Sequence, residues 1–142
     1  MAVISYLEYS NRDAKYARDM FFLGNYDPCV RFCQQSVEKR LKYYIEQHGT
    51  TDDLPALHIH SLSRLYYRVC EIAGSDVNRA TRGDLLQLTT YYFDTNYPSE
   101  MNIELTQDMA QEALDIMTKV NNWVDALLSP PQTDYLTKED TI

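Results

Sequence analysis

Apolar side chains recur along this chain at the three- and four-residue spacing that places them on one face of a helix. From Ser5 to Phe22 the stripe is Leu7, Ala14, Ala17 and Phe21, with charged residues between, and Gly24-Asn25 are suited to stop the helix. Asp27 is read as the cap of a second helix, with Pro28 at its first position and an end near Gln47. Its stripe is Val30, Cys33, Val37, Leu41 and Tyr44. The short junction predicts an antiparallel hairpin of the first two helices. Residues 49–57, with Gly49, two aspartates and Pro55, read as a loop. Ser61 is a cap for a third helix carrying Leu62, Leu65, Val69 and Ile72, ended by Gly74-Ser75. A fourth helix is predicted from about Arg82 to Phe93, with Thr81 and Asp84 at capping-box spacing. After a loop from Asp94 to Glu100, a fifth helix runs from about Thr106 to Leu128 on Met109, Ala113, Ile116, Val120, Trp123 and Leu127, and Pro130-Pro131 stops it.

No segment carries a strand pattern, and each predicted helix has one apolar face to bury. The expected fold is therefore all-α, an up-and-down antiparallel bundle of four to five helices. One domain over residues 1–128 is expected, followed by a polar, flexible tail at 129–142. The heptad-like stripe of the fifth helix suits either a dimer seam or an intramolecular core, and short helices joined by loops favour the core.

Composition narrows the class. The 142 residues are 44% apolar with four glycines and five prolines, which suits a single globular core. No basic-then-apolar leader opens the chain and no apolar run is long enough to span a bilayer, so no membrane contact and a cytoplasmic location are expected. Cys29, Cys33 and Cys70 are an odd number without a disulfide framework. Cys29 and Cys33 share a helix face and read as core thiols. Charge is unevenly spread: residues 1–82 hold 11 basic and 10 acidic side chains, whereas residues 83–142 hold 2 and 11. The second part is unsuited to phosphate contact, so any nucleic-acid surface must come from the first part or from a partner.

Several residues carry candidate chemistry. Lys39, Arg40 and Lys42, with Arg31 upstream, make a basic cluster on the second helix. They read either as a solvated, internally paired helix face or as a phosphate- or partner-contacting surface. Gln34, Gln35 and Glu38 are polar residues beside the core stripe, Gln34 and Glu38 sharing a face at four-residue spacing, and they suit a hydrogen-bond network or a groove. His58 and His60 form a His-x-His pair without further ligands at matching spacing, so no metal is expected. His60 is instead expected to bond backbone or a neighbouring helix, or to line a groove. The 12 tyrosines suit packing and interfaces, and can also stack bases. No glycine-rich phosphate loop or hydrolase elbow is present, and no cofactor is expected.

Tyr26 opening the hairpin, then Gln34-Gln35-Ser36-Val37-Glu38-Lys39-Arg40-Leu41-Lys42, resembles the bacterial HEPN (higher eukaryote and prokaryote nucleotide-binding) pattern. His60-Ser61-Leu62 with Leu65, the pair Tyr91-Tyr92, Asn96-Tyr97-Pro98, and Asp13 continue the resemblance over roughly residues 5–128. The resemblance implies a dimerising helical bundle. It also implies a choice of roles: some members are metal-independent ribonucleases, others are partners of small nucleotidyltransferases, and several have no assigned activity. Two departures bear on that choice. The ribonuclease branch carries Arg and His separated by four to six residues near the last helix, and here Arg40 and His48 have seven between them and lie in the second helix. Asn96 stands where the family often has Arg, and an amide cannot neutralise a phosphate. The expected function is a non-catalytic helper or binding protein, homodimeric, acting with a partner such as a small nucleotidyltransferase in a toxin–antitoxin-like pair. Its nucleotide- or partner-binding candidates are Gln34, Glu38, Lys39, Lys42, His60, Tyr92, Asn96 and Tyr97, with no catalytic residue. The alternatives are a nucleotide- or RNA-binding protein, with Arg40 added to the basic set, and a ribonuclease with a rearranged site.

Overall fold

The computed structural model describes residues 3–96 and 104–129, with only the backbone of 94–96. Among them, five α-helices follow in order: α1 (Tyr6–Phe22), α2 (Tyr26–His48), α3 (Leu62–Ala73), α4 (Arg79–Asn96) and α5 (Gln107–Leu128). A 3-10 helix (Thr51–His58) joins α2 to α3. Among the described residues there is no strand, and the all-α bundle is as expected.

Side-chain hydroxyls start three of the helices. Ser5, Ser61 and Thr106 accept from the amides of Glu8, Arg64 and Met109 at 3.1, 3.4 and 3.3 Å. Gly24 and Gly74 close α1 and α3 in the left-handed region, at φ 76° and 67°, where a side chain would be strained.

Three local expectations are corrected. α2 begins at Tyr26 and not at Pro28, and Asn25 precedes it without a side-chain cap bond; Asp27 lies inside the first turn, where its charge meets the positive end of the helix. α4 begins three residues before Arg82, because the Asn78 carboxamide accepts from the Thr81 amide at 3.0 Å and replaces the expected Thr81–Asp84 box. The 49–57 loop is mostly the 3-10 helix. There Thr50 and Asp53 form a capping box, and the Asp53 carboxylate also takes the Arg68 guanidinium from α3. Any side chain at Gly49 would meet the Ile45 carbonyl at 2.6 Å and Asp53 at 2.7 Å, so this turn needs glycine.

α2 is the central element and packs against the 3-10 helix and all four other helices. Its predicted stripe is buried throughout, and so are Gln34, Ser36, Glu38, Arg40 and Lys42 around it. On α5, Met109, Trp123 and Leu127 are only half-buried, and Ala110, Met117 and Val124 are buried instead. The buried face is centred to one side of the stripe because α2 and α4 both cover it.

α1 and α2 approach closely along small residues. Ser10 Oγ donates to the Ser36 carbonyl and Ser36 Oγ donates to the Ser10 carbonyl, both at 2.7 Å. The Arg40 guanidinium donates to Ser10 Oγ, to Asn11 and, at 2.7 Å, to Asp125 on α5. Asn121 Nδ2 donates to Ser36 Oγ at 3.0 Å, while its buried Oδ1 has no protein partner. These polar groups fasten three helices from inside the bundle, where an unmade hydrogen bond is costly.

Two outcomes follow for stability. Arg40→Ala should cost about 3 kcal/mol in urea unfolding, because it removes buried charge-assisted bonds and leaves a void between three helices. Asp53 has its carboxyl held below the usual range by the Arg68 hydrogen bond, with help from the Thr50 amide. A lowered native pKa contributes stability above the unfolded value, and the contribution is lost as pH falls through the native value. Asp53→Asn should therefore be less stable than wild type near neutrality, and the gap in melting temperature should close as pH drops below about 4.

Candidate functional site

Helical spacing brings Gln34, Glu38 and Lys42 onto one side of α2, where they meet the start of α3 and the second half of α4. The groove there has a volume of about 600 Å³ and is lined by Gln34, Gln35, Glu38, His60, Ser61, Thr89, Tyr92 and Phe93. Glu38 organises its floor. One carboxylate oxygen accepts from Gln34 Nε2 at 3.3 Å; the other faces Lys42 Nζ and His60 Nδ1, both at 3.2 Å. Gln35 Nε2 donates to Gln34 Oε1 at 2.9 Å and extends the chain outward.

Burial separates these partners. The Glu38 and Lys42 side chains are 7% and 5% exposed, whereas His60 is 80% exposed. Glu38 and Lys42 thus neutralise each other beneath the surface, and His60 is the member a ligand meets. A carboxylate only accepts, so His60 Nδ1 is the donor in this contact. On the α4 side the rings of Tyr92 and Phe93 lie edge to face, 6.3 Å between centroids. The groove pairs hydrogen-bonding groups on α2 with aromatic surface on α4, and the ammonium beneath it is already matched by a carboxylate. That chemistry suits a planar or amide-bearing group better than a phosphate.

Of the residues singled out from sequence, Gln34, Glu38, His60 and Tyr92 converge on this groove, and Lys42 supports it from below. Lys39 does not join them. One residue beyond Glu38 on α2, it pairs with Asp13 and lies 5.3 Å from the Tyr9 ring centroid. Arg40 points a further step round, into the α1–α5 clamp. The expected basic cluster is therefore three separate, internally neutralised cations, because consecutive helical residues point about 100° apart. Asn96 is the last residue of α4, with its side chain outside the described residues, and Tyr97 lies wholly outside them.

Gln35, read with Gln34 and Glu38 as suited to a network or groove, lines it as well. Ser61, Thr89 and Phe93 were not among the binding candidates; Thr89 is one turn from Tyr92, which is the signal that could have found it. His48 stacks on Tyr44 with ring centroids 4.6 Å apart, and it lines a cleft with Tyr43, Gln47 and Asp125, the carboxylate that Arg40 meets. Cys29 and Cys33 are buried free thiols; the hydrogen bond that Cys33 shares with Cys29, and burial, push the Cys33 thiol up. Among the described residues, no three metal-ligating side chains gather. No helix there is long and apolar enough to cross a membrane.

The described residues thus form a five-helix bundle whose central helix lends a polar side to a surface groove. The chain belongs to the HEPN domain family, whose profile matches residues 4–127. It is similar to the crystal structure of TT1696 from Thermus thermophilus, at 25% identity and a TM-score of 0.73, over 86% of this chain and 94% of that one. It is also similar in fold to ST0689, an archaeal HEPN homologue, at 22% identity and a TM-score of 0.59, over 85% and 93% of the two chains. No match is found among curated proteins.

Glu38→Ala should destabilise the fold by about 3 kcal/mol, since it strands the buried Lys42 ammonium. Adding Lys42→Met should recover most of that loss in a denaturant titration. If the double variant is no more stable than the single one, the pair is not what holds this side of α2.

Proposed function

We propose that this chain is a non-catalytic HEPN-domain binding protein that works as a homodimer with a protein partner, such as a small nucleotidyltransferase, in a toxin–antitoxin-like pair. The observation that carries this reading is the internal neutralisation of α2. Lys39 is matched by Asp13, Arg40 by Asp125 and Lys42 by Glu38, so of the strip expected to hold phosphate only Arg31 is left without a carboxylate partner among the described residues. Direct RNA binding there would have to break these pairs and strand their carboxylates. The Arg–His spacing of the ribonuclease branch is also absent from the sequence, which leaves acid–base chemistry on RNA without its usual carriers.

The groove supports a binding role. Gln34, Gln35 and His60 can read the hydrogen-bonding edge of a side chain or peptide, with Tyr92 and Phe93 supplying apolar area. The same features favour a second reading, a nucleobase placed between the amides and the rings.

Native mass spectrometry of the protein recovered gently from its own cells separates the two. The expected result is a homodimer bound to a second protein. A homodimer carrying a nucleotide or RNA mass and no second protein would overturn the partner reading. If a partner is found, His60→Ala should weaken the complex by about tenfold, the scale of one buried contact residue.

A further inference from the structure

α4 has apolar side chains on two sides. Leu85, Leu88 and Tyr91 are buried in the bundle, whereas Leu86 and Phe93 are 50% and 52% exposed. Leu86 and Phe93 lie two helical turns apart on one face, and Gly83 and Thr90 join them there in steps of three and four residues. All four are exposed. From Leu85 to Phe93 no residue is charged, in a chain that is 24% charged. An outward helix face is ordinarily its charged side. This one carries two large apolar side chains instead.

Gly83 is the more telling residue. Gly24 and Gly74 answer to a left-handed backbone, and Gly49 to a crowded turn. Gly83 has neither reason: its φ is not positive, and a Cβ there would meet nothing within 4 Å. Glycine inside a helix weakens it, so the isolated bundle gains nothing from this one. What a missing side chain does permit is the close approach of another surface.

We infer that this stripe pairs α4 with the α4 of a second copy of the chain, the two helices running antiparallel. The stripe is its own complement, as a two-fold interface requires. An axis near Leu88 sets Phe93 of each copy over Gly83 of the other, and Leu86 against Thr90. A large side chain then meets a small one at every step. The helix ends match as well. The first turn of α4 holds Arg79 and Arg82 and no acid, and its last turn holds no base. Within one copy the arginines oppose the helix dipole, and the carbonyl end has no cation. Antiparallel pairing brings the arginines of each copy to the carbonyl end of the other. A parallel pair would set arginine against arginine and Phe93 against Phe93. Because Phe93 also lines the groove, the second copy borders the groove's mouth.

The inference deepens the homodimer reading and rests on it, and its test tells the two apart. Sedimentation velocity of the purified full chain over a concentration series reads the monomer–dimer equilibrium. One helix pair is a small interface, so a dissociation constant on the order of micromolar is expected. Gly83→Gln and Leu86→Lys should each weaken the dimer about tenfold. Phe22→Ser, at a residue 88% exposed on α1, should leave it unchanged. Glutamine is the better helix former, so Gly83→Gln should melt no lower than wild type at concentrations where both are monomeric. Its loss of dimer then cannot come from unfolding. A chain that stays monomeric at every concentration would sink the homodimer reading and this face together, leaving Leu86 and Phe93 to a different protein. A dimer that survives both α4 variants, or that Phe22→Ser weakens as much, would sink the face alone.

Discussion

The reciprocal serine bonds between α1 and α2, with the Arg40 guanidinium against them, are the constraint on which the rest of the bundle depends. Two serines exchanging bonds with each other's backbone carbonyl require the helices to approach nearly to backbone contact. Only small neighbours allow this, and Ala14, Ala17, Cys29 and Cys33 supply them. Once the hairpin is that tight, a long side chain from α2 has to leave it sideways. Arg40 does so toward α5, where Asp125 receives it, and this fixes α5 against the same seam. The orientation of α2 follows, and with it the direction in which Gln34, Glu38 and Lys42 face.

Burial of α2 on nearly every side explains why so many of its polar residues are paired. A helix with one buried face can send its charges to water. α2 cannot, and its Glu38–Lys42 pair and Arg40 clamp are ways of keeping charges inside without leaving any uncompensated. The same requirement leaves the groove electrically quiet. Its floor carries a carboxylate and an ammonium that answer each other, so selectivity must come from amide, imidazole and aromatic geometry.

Much of this was legible from the residues. The helical stripes, the cap at Ser61, and the grouping of Gln34 with Glu38 depend on spacing within a few positions, which a sequence displays directly. The placement of His60 beside them needed the family pattern, since its partner lies 22 residues away. Arg40 and Lys39 misled because density along the chain is not density on a surface; their true partners lie 85 and 26 residues off.

The reach of the Arg40 clamp has a consequence for biosynthesis. A nascent chain emerges from its first residues onward, so the α1–α2 hairpin is available long before α5. Until Asp125 and Asn121 leave the ribosome, Arg40 and Ser36 lack their α5 partners, and the apolar side of α2 lacks one of its covers. The hairpin can close early on its own serine bonds, but its Arg40 and Ser36 groups on the α5 side are met only when α5 arrives. Chaperone demand should fall in that late interval, and a ribosome stalled between residues 96 and 121 would display an unfinished, adhesive bundle.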